Sequence, residues 1–244
     1  MGVYTDHLTA EVRLERMRPE QIEAAKARRA AVYVPFGSLE WHGRHNPVGL
    51  DAIKAHEQLV GLALRAGGVV YPAVFFGSGG GHLDWPSSFM VSAEPMIQLV
   101  SELLRGFERD GYRQVILLSG HYPNRPVYLD QALAAYRAGE GRMRGLAIIE
   151  NEIPGVPGDH AALHETSFML HLHPETVDAT ALSVPPTGLP DGEIHNWMGP
   201  ESLEHPCYGL VGIDPRGRAA AELGRVSTEK LIDFLASWLE EEND

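Results

Sequence analysis

Short, wholly apolar runs alternate along this chain with longer segments in which apolar residues recur every three or four positions. AVYVPFG (31–37), VVYPAVFFG (69–77), QVILLSG (114–120) and RGLAIIE (144–150) predict strands. DAIKAHEQLVGLALRAGG (51–68), SAEPMIQLVSELLRGFERDGY (92–112), NRPVYLDQALAAYRA (124–138) and RAAAELGRVSTEKLIDFLASWLEE (218–241) predict helices. Strands that alternate with helices form βαβ units and a mostly parallel sheet, and parallel strands buried on both faces read as continuous apolar runs, as QVILL does. The expected class is therefore α/β. The Pro- and Gly-rich stretch 183–217 breaks the pattern and carries Glu193, His195, Trp197, His205 and Tyr208. A structureless segment of that length is either a surface excursion at a subunit contact or a lid over a pocket.

Composition narrows the function classes. The 244 residues are 44% hydrophobic and 22% charged, the balance of an ordinary globular domain. A net charge of −13 and the absence of any Lys/Arg-rich run argue against nucleic acid as a partner. One cysteine, Cys207, excludes an internal disulfide framework and fits a reducing cytoplasm. The first twenty residues lack the apolar core of a signal peptide, and no stretch reaches the roughly 18 apolar residues of a membrane span. The expectation is a cytoplasmic protein with a small-molecule substrate.

The polar chemistry clusters after the strands, where open α/β sheets bind their ligands. Ser38, Glu40 and His42 follow the first strand, SGGGHLDW the second and His121 the third, while the fourth leads to DHAALHETS at 159–167. Glu40 and His42 are two residues apart, so an extended segment points both to one face. A carboxylate with an imidazole suits Zn, Mn or Fe, and Asp51 can add another oxygen. Asp51 also stands at a predicted helix start, where capping explains it as well. His121 is either a strand-end functional residue or an ordinary loop histidine. If DHAALHETS enters a helix, His160 and His164 share a face at i, i+4. No zincin HExxH, phosphate-binding glycine loop or GxSxG elbow occurs. His82 and Asp84 are a substrate-binding or supporting pair, or solvated loop residues.

Taken in order, PFGSLEWHGRHNPVGLD, SGHYPN, HAALHETSFML and GLVGIDPRGRAAAELGR resemble the creatininase (creatinine amidohydrolase) family from about residue 31 to 225. The resemblance implies a three-layer α/β/α sandwich forming a single domain over 1–244, assembled as a homo-oligomer, often a hexamer. It implies one or two divalent metals per chain: Glu40 and His121 on one, His42 on the other, Asp51 bridging. A water or hydroxide between the metals attacks an amide-type carbon. His160 becomes a proton shuttle to the leaving nitrogen, aided by Asp159, and His45 and Trp197 become pocket residues. The chain departs from the family where it has Pro123, since creatininases carry a metal-binding glutamate there; Glu165 is the replacement on offer. The creatininase tryptophan segment is also missing, because 148–159 reads IIENEIPGVPGD. Hydrolysis of a C–N amide bond in a small, polar, cyclic substrate is the leading expectation. Ring opening of a cyclic polyol ketone or lactone, and a non-catalytic metal-dependent metabolite binder, are its rivals.

Overall fold

The computed structural model describes residues 2–80, 85–184, 192–195 and 205–241. Strands β1 (Ala31–Phe36), β2 (Val69–Val70), β3 (Gln114–Ser119) and β4 (Arg144–Ile149) form a parallel sheet in the order β2–β1–β3–β4. Ala31 pairs with Gln114 and Phe36 with Ser119, while Gln114 pairs with Arg144 and Ser119 with Ile149. This register ends β1, β3 and β4 at one level, so Gly37, Gly120 and Glu150 leave the sheet side by side.

Side chains alternate across the sheet, as strand geometry requires. Tyr33, Ile116, Leu118 and Ile148 enter one core, which α2 (Leu50–Ala66), α5 (Leu163–Leu172) and α6 (Ala221–Glu240) cover. Val32, Val34, Phe36, Val115 and Leu117 enter the other, covered by α1 (Pro19–Arg28), α3 (Ala93–Arg109) and α4 (Asp130–Ala138). The described residues therefore form the expected α/β/α layering. Outside the main sheet, β5 (Glu193–His195) pairs antiparallel with β6 (Val211–Ile213). No helix among the described residues is long and apolar enough to cross a membrane.

Two local expectations change, and part of a third lies outside the described residues. The second strand shrinks from 69–77 to Val69–Val70, with isolated bridges between Phe36 and Val74 and between Gly77 and Met90 beyond it. Pro72 offers no amide to the ladder, which breaks there and resumes where the Val74 N–H donates to Pro35 O at 2.9 Å. Helix α1 has no counterpart in the apolar pattern because only its Ala25 is buried. Of the 183–217 segment, residues 185–191 and 196–204 lie outside the described residues, as do His82, Asp84 and Trp197.

Candidate metal centre

Two glycines let the sheet edge meet the start of α2. A Cβ on Gly37 would lie 2.1 Å from the Ala52 amide nitrogen, and one on Gly120 would lie 2.3 Å from the Asp51 carbonyl oxygen. Only glycine permits such close backbone approach. Asn124, wholly buried, ties these ends together. Its side-chain amide donates to Gly37 O and to Ser119 Oγ, each at 3.1 Å, and its oxygen accepts the Ser78 N–H at 2.9 Å.

Asp51 is the second residue of α2, whose N-cap is Gly49, so it is no capping residue. Its carboxylate instead turns into the sheet end. Oδ2 accepts from Ser38 Oγ at 2.7 Å and lies 3.4 Å from His121 Nδ1, while Oδ1 lies 3.2 Å from His42 Nε2. Glu40 Oε2 is 3.0 Å from His121 Nδ1, and Glu165 Oε2 is 3.6 Å from His42 Nε2. Glu40, His42, Asp51, His121 and Glu165 are all buried.

The donor set has the character of a metal centre. His42 Nδ1 lies 2.9 Å from the Glu40 backbone oxygen, which can only accept. Nδ1 therefore carries a hydrogen, and Nε2, facing Asp51 and Glu165, is left as the atom that takes a cation or a second proton. A ring nitrogen fixed in this way by a backbone carbonyl is how ligating histidines are oriented. Ligand atoms of Glu40, Asp51 and His121 lie within 4.8 Å of one another, as do those of His42, Asp51 and Glu165. Asp51 is common to both triads. A third triad, Glu40, His42 and His160, meets the same criterion.

Electrostatics point the same way. Burial works against charge on His42, but Asp51, Glu165 and Glu40 together push its pKa up to about 9. Burial likewise opposes charge on His121, and its hydrogen bonds with Asp51 and Glu40 raise it to about 10. Burial would raise Asp51 and Glu40, yet the facing imidazoles hold both below the usual carboxylate range. Three carboxylates around two imidazoles thus draw in positive charge, which a divalent cation supplies as well as protons do.

The remaining expected residues fall into three groups. His160 precedes α5 rather than lying on it, because the helix begins only at Leu163. The i, i+4 partnership with half-buried His164 is therefore lost. His160 instead pairs with the Val211 backbone, stacks on His42 with ring centroids 4.5 Å apart, and places Nε2 3.0 Å from the Trp41 carbonyl oxygen. Asp159 accepts the His164 and Glu165 amides at 2.6 and 3.0 Å, taking up orphan donors of the first turn of α5. Burial, then the charge of Glu165, pushes its carboxyl up to about 7. His45 leaves the group: Nε2 meets Thr166 Oγ1 at 2.8 Å, and its ring lines a separate cavity with Arg216 and Pro215.

A cavity of about 310 Å³ opens onto the cluster, lined by Glu40, Asp51, His121, Tyr122, Pro123, Gly158, Asp159, His160, Glu165 and Val211. Four contributors are absent from the candidate residues read from the sequence: Lys54, Gln58, Glu150 and Asn124. The first three form a buried network behind Glu165. Asn124 does have a sequence signal, as the last residue of the G-H-x-x-N block.

Comparison with known proteins adds the family. Residues 15–239 match the family model described as creatininase, creatinine amidohydrolase. The creatinine amidohydrolase of Pseudomonas putida is 25% identical over 86% of this chain and 88% of its own length. The 3-dehydro-scyllo-inosose hydrolase of Thermotoga maritima is 26% identical over 96% and 81%. A mycofactocin precursor peptide peptidase of Mycolicibacterium smegmatis is 28% identical over 87% of each. A solved structure described as creatininase with Mn superposes with a TM-score of 0.76 at 23% identity, covering 94% of this chain and 98% of the other, a likeness of fold. This chain belongs to the creatininase family and is a metal-dependent hydrolase.

Proposed function

We propose that the protein hydrolyses a C–N amide-type bond in a small, polar, cyclic substrate with two divalent metals per chain. In this reading Glu40, Asp51 and His121 hold one cation; His42, Asp51 and Glu165 hold the other; Asp51 bridges. The observation that carries it is the pair of buried donor triads that share Asp51 beside a cavity of about 310 Å³. That cavity suits a small molecule rather than a folded partner. Such a metal pair, when bound, supplies Lewis acidity that activates water near neutral pH and polarises a carbonyl. The metals are Mn, Zn or Fe.

The rest is work for the chain's own side chains. The Trp41 carbonyl keeps the hydrogen of His160 on Nε2, so Nδ1 is the atom that takes up and hands on a proton. Burial, then the charge on His42, holds the His160 pKa below its usual value, which favours the neutral base. Asp159 holds the first turn of α5 and brings a second acid/base group, a carboxyl with a pKa of about 7, to the same cavity. His82, Asp84 and Trp197 complete the substrate-binding side in this proposal, with His45 as a more distant support. The full chain acts as one cytoplasmic domain in a homo-oligomer, a hexamer.

A ring-opening hydrolase of a cyclic polyol ketone is the second reading. The inosose hydrolase match spans 96% of the chain, and IIENEIPGVPGD has no tryptophan where creatininase has its substrate-covering segment. The deciding experiment loads chelator-stripped protein with Mn²⁺ or Zn²⁺ and offers creatinine, other cyclic amides, formamides and inosose-type ketones. Metal-dependent release of an amine or amide cleavage product supports the first reading. Turnover of the ketones alone overturns it in favour of the second.

A further inference from the structure

The proposed reaction leaves the buried charge of Lys54 unused. Lys54 follows Asp51 by three residues on α2, so both side chains leave one face of the helix. Lys54 is 0% exposed. Its Nζ lies 2.7 Å from Glu150 Oε2 and donates to Glu165 Oε1 at 2.9 Å. Gln58, one turn further along, donates to Glu150 Oε1 at 2.7 Å. The remaining walls are aromatic, with the Phe168 ring 5.4 Å and the Tyr122 ring 5.9 Å from Nζ. Burial alone would strip such a lysine of its proton, but Glu150 and Glu165 keep its pKa well above the usual value.

Stability does not account for this network. Desolvating three charged groups costs several kcal/mol each, and an apolar side chain of similar volume commonly serves packing as well. The network does divide the two oxygens of Glu165. Oε1 is committed to Lys54, whereas Oε2 accepts the Ala161 N–H at 2.7 Å and keeps a second lone pair on the His42 side, 3.6 Å from Nε2. Ala161 adopts φ 52°, a left-handed conformation unusual for alanine. Pro123 lines the same cavity and has no oxygen on its side chain to offer.

We propose that Lys54, itself held by Glu150, is a positioning residue that fixes Glu165 as a single-oxygen ligand of the second cation, taking the place of a carboxylate at position 123. The inference rests on the two-metal reading. Plain electrostatics predicts the opposite sign for its loss: removing a nearby positive charge strengthens binding of a cation. Positioning predicts weakening, and at one site only.

The test titrates metal-free, full-length protein with Mn²⁺ by calorimetry and counts bound metal after gel filtration. It compares the parent with Glu150→Gln, Lys54→Met and Lys54→Met/Glu150→Gln. The parent is expected to bind two cations. Lys54→Met is expected to weaken the second at least tenfold and the first less than twofold, and Glu150→Gln alone to weaken the second severalfold less. The double variant buries no stranded charge at position 150, so it carries the test should the single variant misfold, and it is expected to show the same selective loss. A second site unchanged or tightened in the double variant overturns the proposal and leaves the two-metal reading standing. A parent that binds fewer than two cations overturns that reading, and this inference with it.

Discussion

Asp51 and His42 meet with Oδ1 3.2 Å from Nε2, while the other Asp51 oxygen lies 3.4 Å from His121 Nδ1. One carboxylate thus spans two imidazoles that come from different strand ends. Asp51→Asn keeps the size and can still accept from Ser38, but it removes the charge both sites share. Metal content is expected to fall below one per chain and hydrolysis by at least about a hundredfold, in line with the several kcal/mol of transition-state stabilisation a catalytic metal supplies. Circular dichroism should report an intact fold. Full metal occupancy in Asp51→Asn would remove the bridging role.

His160 offers a sharper distinction, because it belongs geometrically both to a donor triad and to the cavity wall. As a proton carrier, His160→Ala should lower kcat by about 10² to 10⁴ and leave the metal count unchanged. As a ligand, it should lose metal. Atomic absorption on the purified variant separates the two outcomes.

Asn124→Ala tests the scaffold rather than the chemistry. The substitution leaves the Ser78 N–H and the Gly37 carbonyl without their buried partner. Each unsatisfied group costs about 1–3 kcal/mol, so a loss of about 2–6 kcal/mol is expected by urea unfolding. A change under about 0.5 kcal/mol would show that the strand ends are held some other way.

His45 gives a pH dependence away from the ligands. Burial, then the charge of His42, lowers its pKa to about 3 in the folded state. In the unfolded chain the value is about 6.5. Between these limits the unfolded state binds more protons, so stability rises with pH across the window and is flat above it. In metal-free protein this one group contributes up to about 1.4 kcal/mol per pH unit between about pH 4 and 6, the free energy that corresponds to one proton over one pH unit. His45→Gln should flatten the slope by about that amount in urea titrations spanning this window, and an unchanged slope would contradict the assignment.

The legible part of this molecule is the part governed by local pattern. QVILL and AVYV announce buried parallel strands because both faces are covered, and Glu40, His42 and His121 follow directly from where those strands end. The α5 start is not legible: DHAALHETS has helical spacing throughout, but Asp159 takes the amides of residues 164 and 165 and Ala161 turns left-handed, so helix begins at Leu163. Lys54 and Gln58 escape notice for a different reason. Together with Asp51 they fall at i, i+3 and i+7, a polar stripe that reads as a solvated face. Here α2 is covered on nearly every side, and only its contacts with Glu150 and Glu165, about 90 to 110 residues away along the chain, reveal the stripe as internal.

Anomalous diffraction from crystals of the protein loaded with Mn²⁺ would locate the cations themselves. Two manganese peaks are expected on either side of Asp51, one among Glu40, Asp51 and His121, the other among His42, Asp51 and Glu165. A single peak, or one ligated by His160 in place of Glu165, would contradict the shared-carboxylate centre.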